Sequence, residues 1–326
     1  MLSDFHQNNW SSAIEDELQQ LLKIAVAEDT GFSGDLTSRA LIPEKLYGSA
    51  LIRSRESGVM AGIQAVAAIL KIINPVLEWQ PMIADGSPIL SGDKIGLIKG
   101  PVQSMLIAER LVLNLLGKLS GIATLTKKYV ETVAGTPAKI YDTRKTTLGW
   151  RRLEKYAVRC GGGRNHRTGL FDAVLIKDNH LAVGHDGGGQ FTPAEAVIQA
   201  REFFRLHSNS FHFEHFPESF SQSLPKNENQ SAPFMPIIEI EVDTLEQLQV
   251  VLPVRPDIVL LDNMVLPQLI RAVEIRNKLA PEVELEASGG INLKTVGDIA
   301  TTGVERISVG ALTHSAIALD FGLDWS

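Results

Sequence analysis

The sequence holds a single cysteine, Cys160, and only 6% aromatic residues in 326 positions. One thiol cannot close an internal disulfide, so a disulfide-stapled scaffold is excluded and a reducing, cytoplasmic setting is expected. No uninterrupted run of about 18 apolar residues is present, which leaves no candidate spanning helix. Met1 to Trp10 is polar and carries Asp4 where a signal would have a basic stretch, so no secretory signal is expected. There is no net positive charge either. The formal charge of -7 argues against binding nucleic acid or a membrane by long-range attraction. There is no GxxxxGK[ST] loop and no strand-linked GxGxxG, so the commonest routes to a nucleotide phosphate are missing.

What remains is ordinary globular material, 44% apolar and 21% charged, long enough for two domains or one with an appendage. Helical spacing of Ile14, Leu18, Leu21, Leu22 and Ala25 predicts a helix over 12–29, ended by Gly31 and Gly34. Residues 49–55 and 95–102 read as strands, and Met105–Val133 as a helix in which Gly121 suits close packing. This first third is a mixed α+β unit. Beyond it the rhythm changes. Short apolar runs recur at Ala138–Tyr141, Ala173–Ile176, Ile237–Val242, Ile258–Leu261, Val283–Ala287 and Ile307–Val309. Helical stretches at Trp150–Cys160, Thr244–Leu252 and Leu266–Leu279 separate them, the pattern of βα units on a parallel sheet. The interval Leu206–Pro236, rich in Phe, His, Ser and Asn, has no periodicity and reads as an insertion.

Nearly every apolar run ends in polar residues. The runs lead into Asp142-Thr143-Arg144-Lys145, Lys177-Asp178-Asn179-His180, Asp262-Asn263, Ser288-Gly289-Gly290 and Gly310, while Glu239 and Glu241 lie within the third. In a βα barrel the C-terminal strand ends converge on the face that carries active sites. Strand parity puts Glu239 and Glu241 on one face, and Glu284, Glu286 and Ser288 on one face; the competing reading is an edge strand with solvated acids. Arg144, Lys145 and Lys177 sit at strand ends, Asn165-His166-Arg167 follows Gly161-Gly162-Gly163, and Arg110 lies on a helix. Such cations beside acids suit a polyanionic ligand, although each alone reads as a surface residue. Ser288-Gly289-Gly290 and Gly310 follow the last two strands, where backbone amides hold phosphates in barrels; a tight turn is the plainer reading. Gly187-Gly188-Gly189 suits a flexible loop, Cys160 a packed thiol, and His207, His212 and His215 a weak metal spacing.

Together these motifs resemble the quinolinate phosphoribosyltransferase family, also called nicotinate-nucleotide pyrophosphorylase (carboxylating). The resemblance rests on Glu28-Asp29, Gly34-Asp35-Leu36-Thr37-Ser38, Ala108-Glu109-Arg110, Leu113-Asn114 and Leu119 to Thr124. It continues through Asp142 to Thr147, Glu154-Lys155-Tyr156, Cys160 to Gly163, Asn165 to Arg167, Leu175 to His180, Leu261 to Asn263, Glu286 to Ile291 and Ile307 to Thr313. Leu148 stands where the family has proline, and the 206–236 stretch has no usual counterpart.

The resemblance implies an α/β fold: an N-terminal α/β sandwich over 1–125, an open six-stranded α/β barrel over 126–311, and a tail, 312–326, returning to the sandwich. It implies transfer of phosphoribosyl from 5-phosphoribosyl-1-pyrophosphate to quinolinate with decarboxylation, giving nicotinate mononucleotide, pyrophosphate and CO2. Arg110, Thr143, Arg144, Lys145, His166, Arg167 and Lys177 would bind substrate, with Lys177, Glu241 and Asp262 catalytic. Glu241 and Asp262 would also hold Mg2+, through water and pyrophosphate, and Ser288, Gly289, Gly290 and Gly310 the 5′-phosphate. A homodimer is implied in which Arg110 reaches the partner's site. The alternatives are a relative acting on nicotinate or another pyridine carboxylate, a Schiff-base aldolase using Lys177, and a phosphosugar-binding regulator. A monocarboxylate needs fewer cations, borohydride trapping would expose an aldolase, and the acid pair Glu241 and Asp262 is superfluous to a regulator.

Overall fold

The computed structural model describes residues 4–184, 189–207 and 235–325. Ile14, Leu18 and Leu22 recur one turn apart and bury together, so α1 runs Ser12–Thr30 until Gly31 ends it. Each such fully buried side chain is worth about 1.5–3 kcal/mol. Asp35 accepts from the amides of Thr37 and Ser38 and starts α2 (Leu36–Leu41). Those hydrogen bonds, with that from the Ser38 hydroxyl first among them, hold the Asp35 carboxyl below its ordinary pKa.

Next come β1 (Tyr47–Ser54), β2 (Gly58–Val59), α3 (Ile63–Ile73), β3 (Glu78–Pro81), β4 (Pro88–Ile89), β5 (Lys94–Pro101) and α4 (Val102–Thr132). The strand-forming half continues with β6 (Lys139–Tyr141), α5 (Arg151–Cys160), β7 (Val174–Ile176), α6 (Asp178–Val183) and α7 (Pro193–His207). It ends with β8 (Ile238–Val242), α8 (Leu245–Val251), β9 (Ile258–Asp262), α9 (Leu266–Leu279), β10 (Glu284–Ser288), α10 (Val296–Ala300), β11 (Arg306–Ser308), α11 (Ala311–His314) and β12 (Phe321–Trp325).

Two compact units form. One comprises Gln7–Ala134, Ile140–His166 and Val309–Ser326; the other comprises Met1–His6, Gly135–Lys139 and Arg167–Ser308. The first, the sandwich unit, contains an antiparallel sheet in the order β12-β1-β5-β3. The last strand thus closes an edge of the sheet that the first strand begins, with Ile52 opposite Leu323. α4 spans 31 residues with apolar side chains buried along its length. It can lie close to the incoming tail because of its glycines: a Cβ on Gly121 would sit 2.1 Å from the Ile317 carbonyl oxygen.

The second, the barrel unit, carries most of a six-stranded sheet in the order β6-β11-β10-β9-β8-β7. The described pairings β7–β8, β8–β9, β9–β10 and β10–β11 are parallel. Read around the sheet, the strands follow chain order with one gap, between β6 and β7, which is the order of an open barrel. β6 joins at one edge, where the Lys139 amide donates to Glu305 and the Val309 amide donates to Tyr141, each at 2.9 Å. β8 and β9 are almost wholly buried, as parallel strands covered on both faces must be. α7 extends to His207, so Leu206 and His207 belong to a helix; the rest of the expected insertion through residue 234 lies outside the described residues. No helix among the described residues is long and apolar enough to cross a membrane.

Candidate active site

The barrel unit places four sequence-derived residues at one end of adjacent strands. Register sets Ile176 beside Ile240, so Lys177, the next residue, stands level with Glu241. The Lys177 ammonium pairs directly with the Glu241 carboxylate. The Lys177 backbone is held in turn, its amide donating to His180 Nδ1 at 2.9 Å. On the next two strands Asp262 and Ser288 are register partners, and the Asn263 amide donates to the Ser288 carbonyl at 2.9 Å. Lysine, two acids and the Ser288-Gly289-Gly290 turn therefore occupy the C-terminal ends of β7 to β10, where barrels place catalytic groups.

Electrostatics separate Glu241 from an ordinary surface acid. Burial pushes its carboxyl above the usual range; Lys177 pulls it down, while the like charges of Asp262 and Asp178 push it further up. Asp262 accepts from Asn263 Nδ2 at 2.7 Å, which orients it. Two carboxylates of this kind, in hard oxygen chemistry, match a divalent cation that keeps most of its water. Glycine is required at the neighbouring turn. Gly289 has φ +95°, and a Cβ there would lie 2.2 Å from Asn263 Oδ1.

Parity assigns Glu239 and Glu286 to the inner face as well, and both are fully buried. Glu284 has a different fate. Near the N-terminal end of its strand, it pairs with the buried Arg306, which also meets Asp4 at 3.1 Å and lies 5.2 Å from the Phe5 ring. Arg167, 6% exposed, donates to the Ala173 carbonyl at 3.3 Å, anchoring it inside the same unit.

The sandwich unit carries the remaining candidates. Asp142 at the end of β6 is buried, and Thr143, Arg144 and Lys145 follow it outward. The Lys145 amide donates to Thr143 Oγ1 at 3.1 Å, and its carbonyl accepts from Thr313 Oγ1 at 2.8 Å. These bonds shape a turn from which the Lys145 side chain extends past Gly310, where an added Cβ would lie 3.1 Å from Lys145 Cδ. Arg144 Nε is buried without a hydrogen-bond partner among the described residues, a donor that a ligand acceptor would satisfy. His166 is 5% exposed. Arg110 is exposed on α4 and forms no ion pair among the described residues.

Comparison with known proteins gives the family of the whole chain. The quinolinate phosphoribosyl transferase N-terminal domain family matches residues 35–120, and its C-terminal domain family matches 122–206 and 216–324. This chain belongs to the quinolinate phosphoribosyltransferase family. Its relatives in the family include the nicotinate-nucleotide pyrophosphorylase [carboxylating] of Mycobacterium leprae, 38% identical over 311 residues, or 95% of this chain and 97% of that one. The chloroplastic enzyme of that name from Arabidopsis thaliana is 37% identical, covering 94% of this chain and 82% of its own. A solved structure of the nicotinate-nucleotide pyrophosphorylase from Francisella tularensis superposes with a TM-score of 0.81 at 33% identity, over 99% of this chain and 100% of that one. The family assignment makes the chain a decarboxylating quinolinate phosphoribosyltransferase of pyridine nucleotide biosynthesis.

Some other candidates of the sequence are placed away from chemistry or not described. The Cys160 thiol is pushed up to about 12, chiefly by burial and then by Asp85, so it stays protonated and is no nucleophile. His207 Nδ1 lies 2.8 Å from the Phe203 carbonyl, while His212, His215, Gly187 and Gly188 lie outside the described residues. Residue reasoning assigned no role to Lys155 or Asn165, both fully buried. A lysine one step from Tyr156 on a charged helix looks solvated, and only its burial separates it from its neighbours.

Proposed function

We propose that the phosphoribosyl donor is 5-phosphoribosyl-1-pyrophosphate, and that the strand ends divide its recognition. The observation that carries this reading is the Lys177–Glu241 pair beside Asp262 at the C-terminal strand ends. Glu241 and Asp262 bind the ribose hydroxyls and stabilise positive charge developing at the anomeric carbon. The amides of Ser288, Gly289, Gly290 and Gly310 seat the 5′-phosphate. Arg110, Arg144, His166, Arg167 and Lys177 meet the two carboxylates of quinolinate, Lys145 and Lys177 meet phosphate or pyrophosphate oxygens, and Thr143 also binds substrate. Bound Mg2+ would neutralise the departing pyrophosphate, with Glu241 and Asp262 holding it through water. Catalysis then rests on orientation and fixed charge, with no covalent nucleophile. Once the pyridine nitrogen is glycosylated, the cationic ring stabilises the electron pair left at C2 as CO2 departs, and a proton from water then takes up that pair to give nicotinate mononucleotide.

Arg110, exposed and without an ion pair among the described residues, supports a homodimer in which it serves the partner's site, and the single cysteine supports a cytoplasmic setting. Purified protein supplied with magnesium, the donor and carboxyl-labelled quinolinate should release labelled CO2 in step with pyrophosphate. Donor binding without CO2 release, or equal turnover of nicotinate, would overturn the assignment.

A further inference from the structure

Lys155 is fully buried on α5 and is not among the residues assigned above to substrate. Its Nζ pairs with the Asp142 carboxylate and donates to the His166 carbonyl at 2.9 Å. Asp142 Oδ1 also accepts from the His166 amide at 2.9 Å, so lysine and aspartate hold His166 by both ends of its backbone. Asp142 Oδ2 accepts from Asn165 Nδ2 at 2.6 Å, and that nitrogen also donates to the Lys155 carbonyl at 2.9 Å. The network is continuous within the sandwich unit, and Asp142 is the last buried residue before Thr143 and Arg144.

α5 grips the same loop at two further points. Arg151 Nε donates to Thr146 Oγ1 at 3.1 Å, and Glu154 Oε2 accepts from the Thr147 amide at 3.1 Å. Burying an ion pair this deeply is a poor route to stability, since apolar residues of equal volume serve as well or better. What it provides is direction: one ammonium fixes both the strand end that carries Arg144 and the backbone of His166.

We propose that Lys155 is a positioning residue for quinolinate, acting through Asp142 and the His166 backbone to set Arg144 and His166 for its carboxylates. The inference rests on the assignment of Arg144 and His166 to that substrate. It is tested on the full chain by steady-state kinetics with quinolinate and donor varied separately, alongside thermal unfolding. Lys155→Met should raise the quinolinate KM by about tenfold or more, because displacements of about 1 Å carry penalties of that order, while the donor KM changes by less than about twofold.

Lys155→Met combined with Asp142→Asn restores charge neutrality. Its Tm should move back toward wild type while the quinolinate KM stays high. Should the single variant not fold, the neutral pair provides the same reading. A wild-type quinolinate KM in whichever variant folds, or recovery of KM together with Tm in the pair, overturns positioning. Arg144→Ala and His166→Ala with unchanged quinolinate KM would overturn the substrate assignment itself, and the inference with it.

Discussion

Gly289 and Gly290 offer a stringent test of the phosphate turn, because the fold demands glycine at them for different reasons. Gly290 has φ +62° and open space around an added Cβ, so Gly290→Ala meets only the left-handed backbone penalty, about 1–2 kcal/mol. Gly289 has φ +95°, and its Cβ would lie 2.2 Å from Asn263 Oδ1, 2.6 Å from Asn263 Cγ and 2.9 Å from the Asn263 amide nitrogen. Side-chain rotation relieves the first two contacts. The third is with backbone, and that amide is the one bonded to Ser288 across the ends of β9 and β10. Adding about 1–3 kcal/mol for overpacking gives about 2–5 kcal/mol in all for Gly289→Ala. Equilibrium urea unfolding measures both costs. Relieving the clash also spreads the strand ends that carry Asp262 and the proposed phosphate amides. Losing one hydrogen bond to a charged oxygen costs about 1.5–3 kcal/mol, so the donor KM of Gly289→Ala should rise by about tenfold or more. Equal destabilisation by the two substitutions, or an unchanged donor KM in Gly289→Ala, would refute the reasoning.

The charges around Glu241 predict a pH effect. Asp178 is a like charge that raises the Glu241 carboxyl, so Asp178→Asn lets Glu241 ionise at lower pH; the acid limb of kcat/KM should move down with its plateau kept. A limb that stays fixed or moves up counts against Glu241 as the group that must be ionised. Lys177→Ala should abolish turnover, as should Arg110→Ala if sites are shared between subunits. Mixing the two should restore about a quarter of wild-type activity, since half the dimers are mixed and each has one intact site. No recovery, with exchange of subunits verified, would remove Arg110 from the partner's site.

Much of the barrel was legible because burial on both faces leaves a parallel strand little choice but a short apolar run. Leu266–Leu279 and the strand over Ile258–Leu261 appear almost residue for residue, and polar strand ends mark the face on which chemistry would occur. Parity groups the acids of a strand by face, but it is blind to height along the strand. Glu284 and Glu286 share a face, yet Glu284 sits low and joins Arg306 in a structural pair, while Glu286 is buried above it. Height comes only from register with neighbouring strands, a non-local property.

The same limit explains what stayed hidden at the N-terminus and on α5. Met1 to Trp10 reads as polar, yet Phe5 and Asn8 are 4% and 2% exposed. Asn8 is buried because its amide donates to Asn165 Oδ1 at 2.7 Å, across 157 positions of sequence. Lys155 and Asp142 are 13 residues apart, and nothing local distinguishes them from a solvated helix residue and a strand-end acid. Local pattern reports what a residue contributes to its own element. The chemistry of this site depends instead on where elements end against one another, so the residues that orient it surface only when those ends are closed in three dimensions. A buried charge pair that stability alone does not justify is the signal that remains, and it points to α5 as the support on which the Arg144 and His166 segments are set.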